Sequence, residues 1–414
     1  MSLKRVRALI LAATAAIAAP AAAQTELKVH YNWTAPPEVA AINVLKSHLE
    51  PMGVKWTDFS VIQHDTGANV SIVNMITGGT PPDAFLSAEP GLYRDIKGMG
   101  HGFPLDALFE EVGATANFAD AVKKSITVDG EMVKIPVAIH LDGMLFYNKS
   151  VAEKAGVDPT KWTSMDDVWA DFDKIKATGV IPLAIGSQKW QEGYLFHALM
   201  AAYGSDIYDG FYAGEPDTAT FDTPSMRKVL GVLRQFQQHI DEGSINREWN
   251  VTTGLVISGQ ALMQIHGDWM KGEFRAAGQE AGKDFGCINI PGAQAVSVTV
   301  DAFGLYNTGD AAVEEAQKKF ASVIVDPAIT AEFAAKKGST PVVLNAPTEN
   351  LDECNKIVLD TLRDPAKQKQ NPHNTADPDW FNATWDVIDR FWTDPSMTED
   401  QAIVGFQEAY DSIF

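Results

Sequence analysis

The chain has 414 residues, 45% hydrophobic and 21% charged, with a net charge of -21 that already counts the basic Lys4, Arg5 and Arg7. So acidic a chain has no means of neutralising a phosphate backbone or an anionic lipid surface, which excludes nucleic acid and membrane-surface binding as its function. Two cysteines, Cys287 and Cys354, exclude a disulfide-dense scaffold and leave one bridge or two buried thiols open.

Residues 1–23 join a basic start, an apolar stretch and a small-residue run ending at Ala23, the pattern of a cleavable secretory signal. The apolar part is shorter than the about 18 residues of a membrane span and Pro20 interrupts it, so export is expected rather than anchoring. Roughly 390 residues remain, more than one conventional core holds, and two lobes are expected.

ELKVHY alternates Leu27, Val29 and Tyr31 with polar residues and reads as a first strand. Pro36 and Pro37 then suit a helix start, with Glu38 in its first turn and Val39, Ile42, Leu45 and Leu49 on one face. A strand over Val54–Ile62, a helix over GANVSIVNMITGG and a short strand in PPDAFLS complete a β-α-β-α-β start, the pattern of a doubly wound sheet. After KIPVAIHLDGMLFYNKSVAEKAG the chain turns helical and aromatic. WTSMDDVWADFDKIKATG reads as a helix with Thr163 or Ser164 as N-cap and Gly179 as its stop. Val229, Leu233, Phe236 and Ile240 form a helical stripe that is assigned to core. SVTVDAFGLYN returns to strand character before a helix over AAVEEAQKKFASVIV. No repeat or long linker separates the two textures, so the lobes should be joined by several short crossings.

HExxH, G-x-S-x-G, a P-loop and a cysteine pair at metal spacing are all missing, and no catalytic residue, metal or cofactor is expected. What recurs is tryptophan beside short polar groups: Trp33 before Glu38, Trp190 in GSQKWQEG, Trp269 after Asp268. Taken singly, each reads first as interior filling. Together they suit a neutral sugar, whose C–H faces pack on aromatic rings while its hydroxyls pair with carboxylate, amide or ammonium.

GGTPPDAF, KIPVAIHLDGMLFYNKSVAEKAGV, GQALMQIHGDW and KKGSTPV follow one another as in the family 1 extracellular solute-binding proteins of bacterial ABC sugar importers, which this chain resembles over nearly its whole exported length. Within that family it looks most like periplasmic glucose-binding receptors. The resemblance implies a two-lobed α/β periplasmic binding protein fold, each lobe a sheet flanked by helices. Hinge crossings are expected near residues 138, 297 and 345, with 24–138 and 298–345 in the first lobe and 139–297 and 346–414 in the second. It also implies the site: Trp33 and Trp269 as stacking walls, Glu38 and Asp301 as hydroxyl acceptors, Lys337 as a cationic donor, and His140, Trp190, Asp268 and His373 as further contacts. One stretch departs from those receptors. Ser87, Ala88 and Glu89 stand where they carry Gln and His, so Glu89 is either a contact for a different monosaccharide or a cap for the next turn.

The expected function is that of a monomeric periplasmic receptor. It should close on a monosaccharide, glucose first, and deliver it to an ABC permease in the inner membrane. The alternatives are a receptor for another sugar or an oligosaccharide, and an exported glycosidase or lyase using two of the same carboxylates.

Overall fold

The computed structural model describes residues 24–61, 68–349 and 351–414. The expected signal segment lies outside them. Strands β1 (Thr25–Tyr31), β2 (Val54–Val61) and β3 (Ala84–Leu86) follow the expected order, and β1 pairs in parallel with both of the others. Leu27, Val29 and Tyr31 are buried, as their alternation predicts. The helix Pro36–Leu49 between β1 and β2 begins where two prolines withdraw their N–H donors and Glu38 Oε2 accepts the Thr34 and Ala35 amides, each at 3.0 Å.

β4 (Thr127–Val128) and β5 (Glu131–Met132) form a small hairpin on Asp129 and Gly130, both in the left-handed region that such a two-residue turn requires. β6 (Lys134–Leu141) leads through Asp142 and Gly143 into β7 (Met144–Asn148). β8 (Ile181–Leu183), β9 (Ala261–His266) and β10 (Phe285–Asn289) join β7 in a second sheet, in the order β10-β7-β9-β8. β11 (Val296–Leu305) returns to the first sheet, where it runs antiparallel to β3 and β6. β12 (Gln368–Gln370) pairs in parallel with Val296–Val298.

That last pairing differs from the expected lobe boundary, since residues 346–414 do not stay on one side. The helix Glu353–Leu362 is tied to β10 by a Cys287–Cys354 disulfide with a Cα–Cα distance of 5.9 Å, which resolves the open question about the two thiols. The chain then returns to the first sheet as β12 before Pro378–Thr393 and Glu399–Ile413 pack on the second lobe. There Ser164 caps Met165–Lys176, and Val229, Leu233 and Phe236 are fully buried, with Ile240 half-buried at the helix end. Among the described residues, no helix is long and apolar enough to cross a membrane.

The crossing from β6 to β7 is fastened by a buried polar knot. Asp142 accepts hydrogen bonds from Ser297 Oγ, from Thr299 Oγ1 at 2.5 Å and from Asn371 Nδ2 at 3.0 Å. Burial pushes its carboxyl up to about 6 against those donors. Three separate passages between the sheets therefore meet on one side chain.

Candidate ligand-binding site

In open α/β sheets, ligands sit beyond the carboxyl ends of the parallel strands, and Trp33 and Ser87 stand just past the ends of β1 and β3. Trp33 is only 3% exposed. It meets Phe303 edge to face and Phe333 at a tilt, both with centroids 6.1 Å away, and the Lys337 ammonium lies 4.7 Å from its centroid. Lys337 Nζ is also 3.2 Å from Glu38 Oε1. Trp33, Glu38 and Lys337 are thus one buried group.

This group touches the opposite lobe through the helix Lys271–Ala276. Gly338 has φ +86 and needs to be glycine twice over, because a Cβ there would strike the Gly272 backbone. On the same helix, burial first and Glu38 second push the Glu273 carboxyl up to about 7, opposed by Lys337.

A second group forms around His140 on β6. Its Nδ1 lies 2.5 Å from Asp268 Oδ1 and its Nε2 3.3 Å from Asp301 Oδ2. Burial alone would lower the imidazole pKa, but the two carboxylates, Asp268 foremost, hold it above its ordinary value. Asp268 is 1% exposed, and its Oδ2 has no hydrogen-bond partner among the described residues. The half-buried Trp269 ring stands edge-on to His140, His266 and Tyr194 at 5.3, 5.0 and 5.7 Å. Gly267 permits that fold-back, since a Cβ there would strike the Trp269 ring.

Trp190 packs on Tyr194 and His266 and donates from Nε1 to Gln188 Oε1 at 2.9 Å. His373 packs on Phe381 at 4.2 Å and on Tyr194 at 6.1 Å. Burial holds its pKa down at about 4, with Asp301 pulling the other way. Glu89 takes the N-cap position of the helix Pro90–Gly98 and acts electrostatically on the buried ammonium of Lys134, which burial pushes down to about 7.

The expected residues therefore fall into two groups, with Glu89 at a third station beside Lys134. Several residues that shape these stations were missed. Tyr194 carried a usable signal, four residues after Trp190 and so on the same helical face. Lys134, Asp142, Asn371 and Asn374 carried none, because their partners are remote in sequence. Among the described residues, no cluster of three His, Cys, Asp or Glu is arranged to hold a metal.

Comparison with known proteins extends this description. A family model described as bacterial extracellular solute-binding protein matches residues 60–356. A probable sugar-binding periplasmic protein of Brucella suis biovar 1 (strain 1330) is 32% identical over 401 residues, covering 94% of this chain and 93% of its own. Among solved structures, a chitin oligosaccharide binding protein superposes with a TM-score of 0.80 at 17% identity, over 94% of this chain and 98% of that one. A bacterial solute receptor with an exclusive preference for β-D-galactopyranose gives 0.78 at 20% identity, with the same coverage of both chains. These likenesses show the fold: a two-lobed periplasmic binding protein of mixed α/β architecture.

Proposed function

This chain belongs to the bacterial extracellular solute-binding protein family, and from that premise we propose that it is the periplasmic sugar receptor of an ABC importer, taking a neutral monosaccharide, glucose first, between its lobes. The observation that carries the ligand class is Asp268 Oδ2, a buried acceptor with no partner beside the half-exposed Trp269. An unpaired acceptor next to an aromatic face fits a hydroxyl on a sugar ring. Asp268 and Asp301 outnumber the one imidazole between them, so an anionic ligand would be repelled.

In this reading His140 positions the two acids, and Trp269 and Trp190 supply the second-lobe wall. Trp33, braced by Glu38 and Lys337, lines the first-lobe side with Glu89 at its margin, and His373 joins the second-lobe wall through Tyr194 and Trp385. Contacts from both lobes favour the closed form, which the inner-membrane permease then recognises. The structural neighbours bind a chitin oligosaccharide and a galactopyranose, sugars of two sizes. Glucose is preferred here on the site residues and challenged by Ser87, Ala88 and Glu89.

A thermal-shift panel of neutral mono- and oligosaccharides on ligand-stripped protein tests the reading. A true ligand at a hundred times its Kd stabilises by about 2.7 kcal/mol. No shift with any sugar overturns the ligand class, and a shift confined to oligosaccharides overturns the monosaccharide.

A further inference from the structure

Lys134 is an unusual residue to open a strand: it begins β6, which pairs with β11 alone among the described strands, it is 1% exposed, and in its ammonium form it has only donors to offer. Its Nζ bonds the Ala88 carbonyl and Asn374 Oδ1, the latter at 3.0 Å, and lies 5.3 Å from the centroid of the Tyr93 ring. It thereby clips the turn after β3 to the turn that carries His373. The Asn374 amide is fixed by this contact. The ammonium faces the amide oxygen, so the NH₂ is turned the other way. That nitrogen, Nδ2, is buried and has no hydrogen-bond partner among the described residues. Its neighbour His373 packs on Tyr194 and Trp385, rings of the same aromatic wall that holds Trp269.

We propose that Asn374 is a ligand contact, donating from Nδ2 to a hydroxyl or ring oxygen of the sugar, and that Lys134 is the positioning residue that sets this orientation. The assignment rests on the cleft being the sugar site. It complements Asp268: a buried donor and a buried acceptor, two of several unpartnered atoms among the described residues, are what a neutral hydroxyl-bearing ring can satisfy and a purely apolar ligand leaves unpaired.

The test is calorimetric titration of the full exported chain with D-glucose, D-galactose, D-xylose and maltose, followed by variants on whichever binds. Asn374→Asp keeps an acceptor for Lys134 and deletes the donor. Its unliganded Tm is expected to hold while Kd rises about tenfold. Lys134→Met is expected to raise Kd by a similar factor, and the double variant by no more than either alone, because one interaction is removed twice. Lys134→Arg, which keeps a donor-only cation, is expected to recover part of the loss. Should Lys134→Met not fold, the Asn374→Asp and Lys134→Arg results decide the matter. Asn374→Asp binding within about twofold of the parent overturns the contact, and additive losses in the double variant overturn the positioning role. Failure of the parent to bind any of the four sugars overturns the underlying reading, a result distinct from either of these.

Discussion

Two buried groups of this molecule are made from nearly the same materials. Each sets carboxylate and cation beside a tryptophan: Glu38 and Lys337 at Trp33, Asp268 and His140 at Trp269. Their accounting of donors and acceptors differs. Glu38 is engaged by two backbone amides and an ammonium, and that ammonium lies over the Trp33 ring. At His140 two acids share one imidazole, and Asp268 Oδ2 is left over. A tryptophan next to an acid is thus a poor marker of a ligand site by itself. The unbalanced count of donors and acceptors is the better one, because a buried polar atom without a partner is costly until a ligand supplies one.

The sharpest way to break this contrast is Asp268→Ala, which removes the spare acceptor and strips His140 of its nearer carboxylate. A hydrogen bond to a charged group is worth about 1.5–3 kcal/mol, so titration should show sugar affinity falling about tenfold to a hundredfold. Unchanged affinity would return the second group to ordinary structure. Lys337→Met is expected to act differently. It leaves the Glu38 carboxylate buried without its cation, lowering the unfolding free energy by about 3 kcal/mol in denaturant titrations. Among folded molecules, Kd should move by no more than about threefold. A large loss of affinity with stability intact would erase the difference between the groups and give Lys337 the donor role that the family resemblance implies.

Much of the frame was legible because apolar periodicity is local. The alternation in ELKVHY, the paired prolines before Glu38 and the Ser164 cap each act through near neighbours, and each stands where it was expected. β12 was not legible. Its sequence, Gln368, Lys369 and Gln370, has no apolar alternation, and its strand form comes from the edge of β11. The site divides the same way. The family resemblance picked out His140, Asp268, Asp301 and Trp269, which the fold does bring together. The contact of Lys134 with Asn374 spans 240 residues, and the spare atoms of Asp268 and Asn374 are properties of assembled geometry.

Smaller effects sharpen the comparison further. Trp269→Ala removes the half-exposed ring beside Asp268, and an aromatic contact worth about 1.5 kcal/mol translates to roughly a tenfold rise in Kd. The tryptophan fluorescence response to sugar should shrink with it, and an unaltered response would place the stacking elsewhere. The effect of pH should be smaller still and should separate the groups by what each supports. His140 has its folded pKa raised above the ordinary 6.5, so its contribution is complete below that value and lost as pH rises through the folded pKa. Stability should therefore decline on the alkaline side; sugar affinity should follow because, in the proposed site, the imidazolium holds Asp268 and Asp301 in place, and His140→Gln should flatten both declines. Glu273, held up at about 7 against an ordinary 4.5, likewise contributes stability that is whole below 4.5 and lost as pH rises to about 7. Because it lies beside Glu38 and Lys337, which engage one another, Glu273→Gln should flatten the pH dependence of Tm and leave that of Kd unchanged. A Glu273→Gln variant whose affinity profile changed instead would show that the Glu38 and Lys337 group answers to the ligand after all.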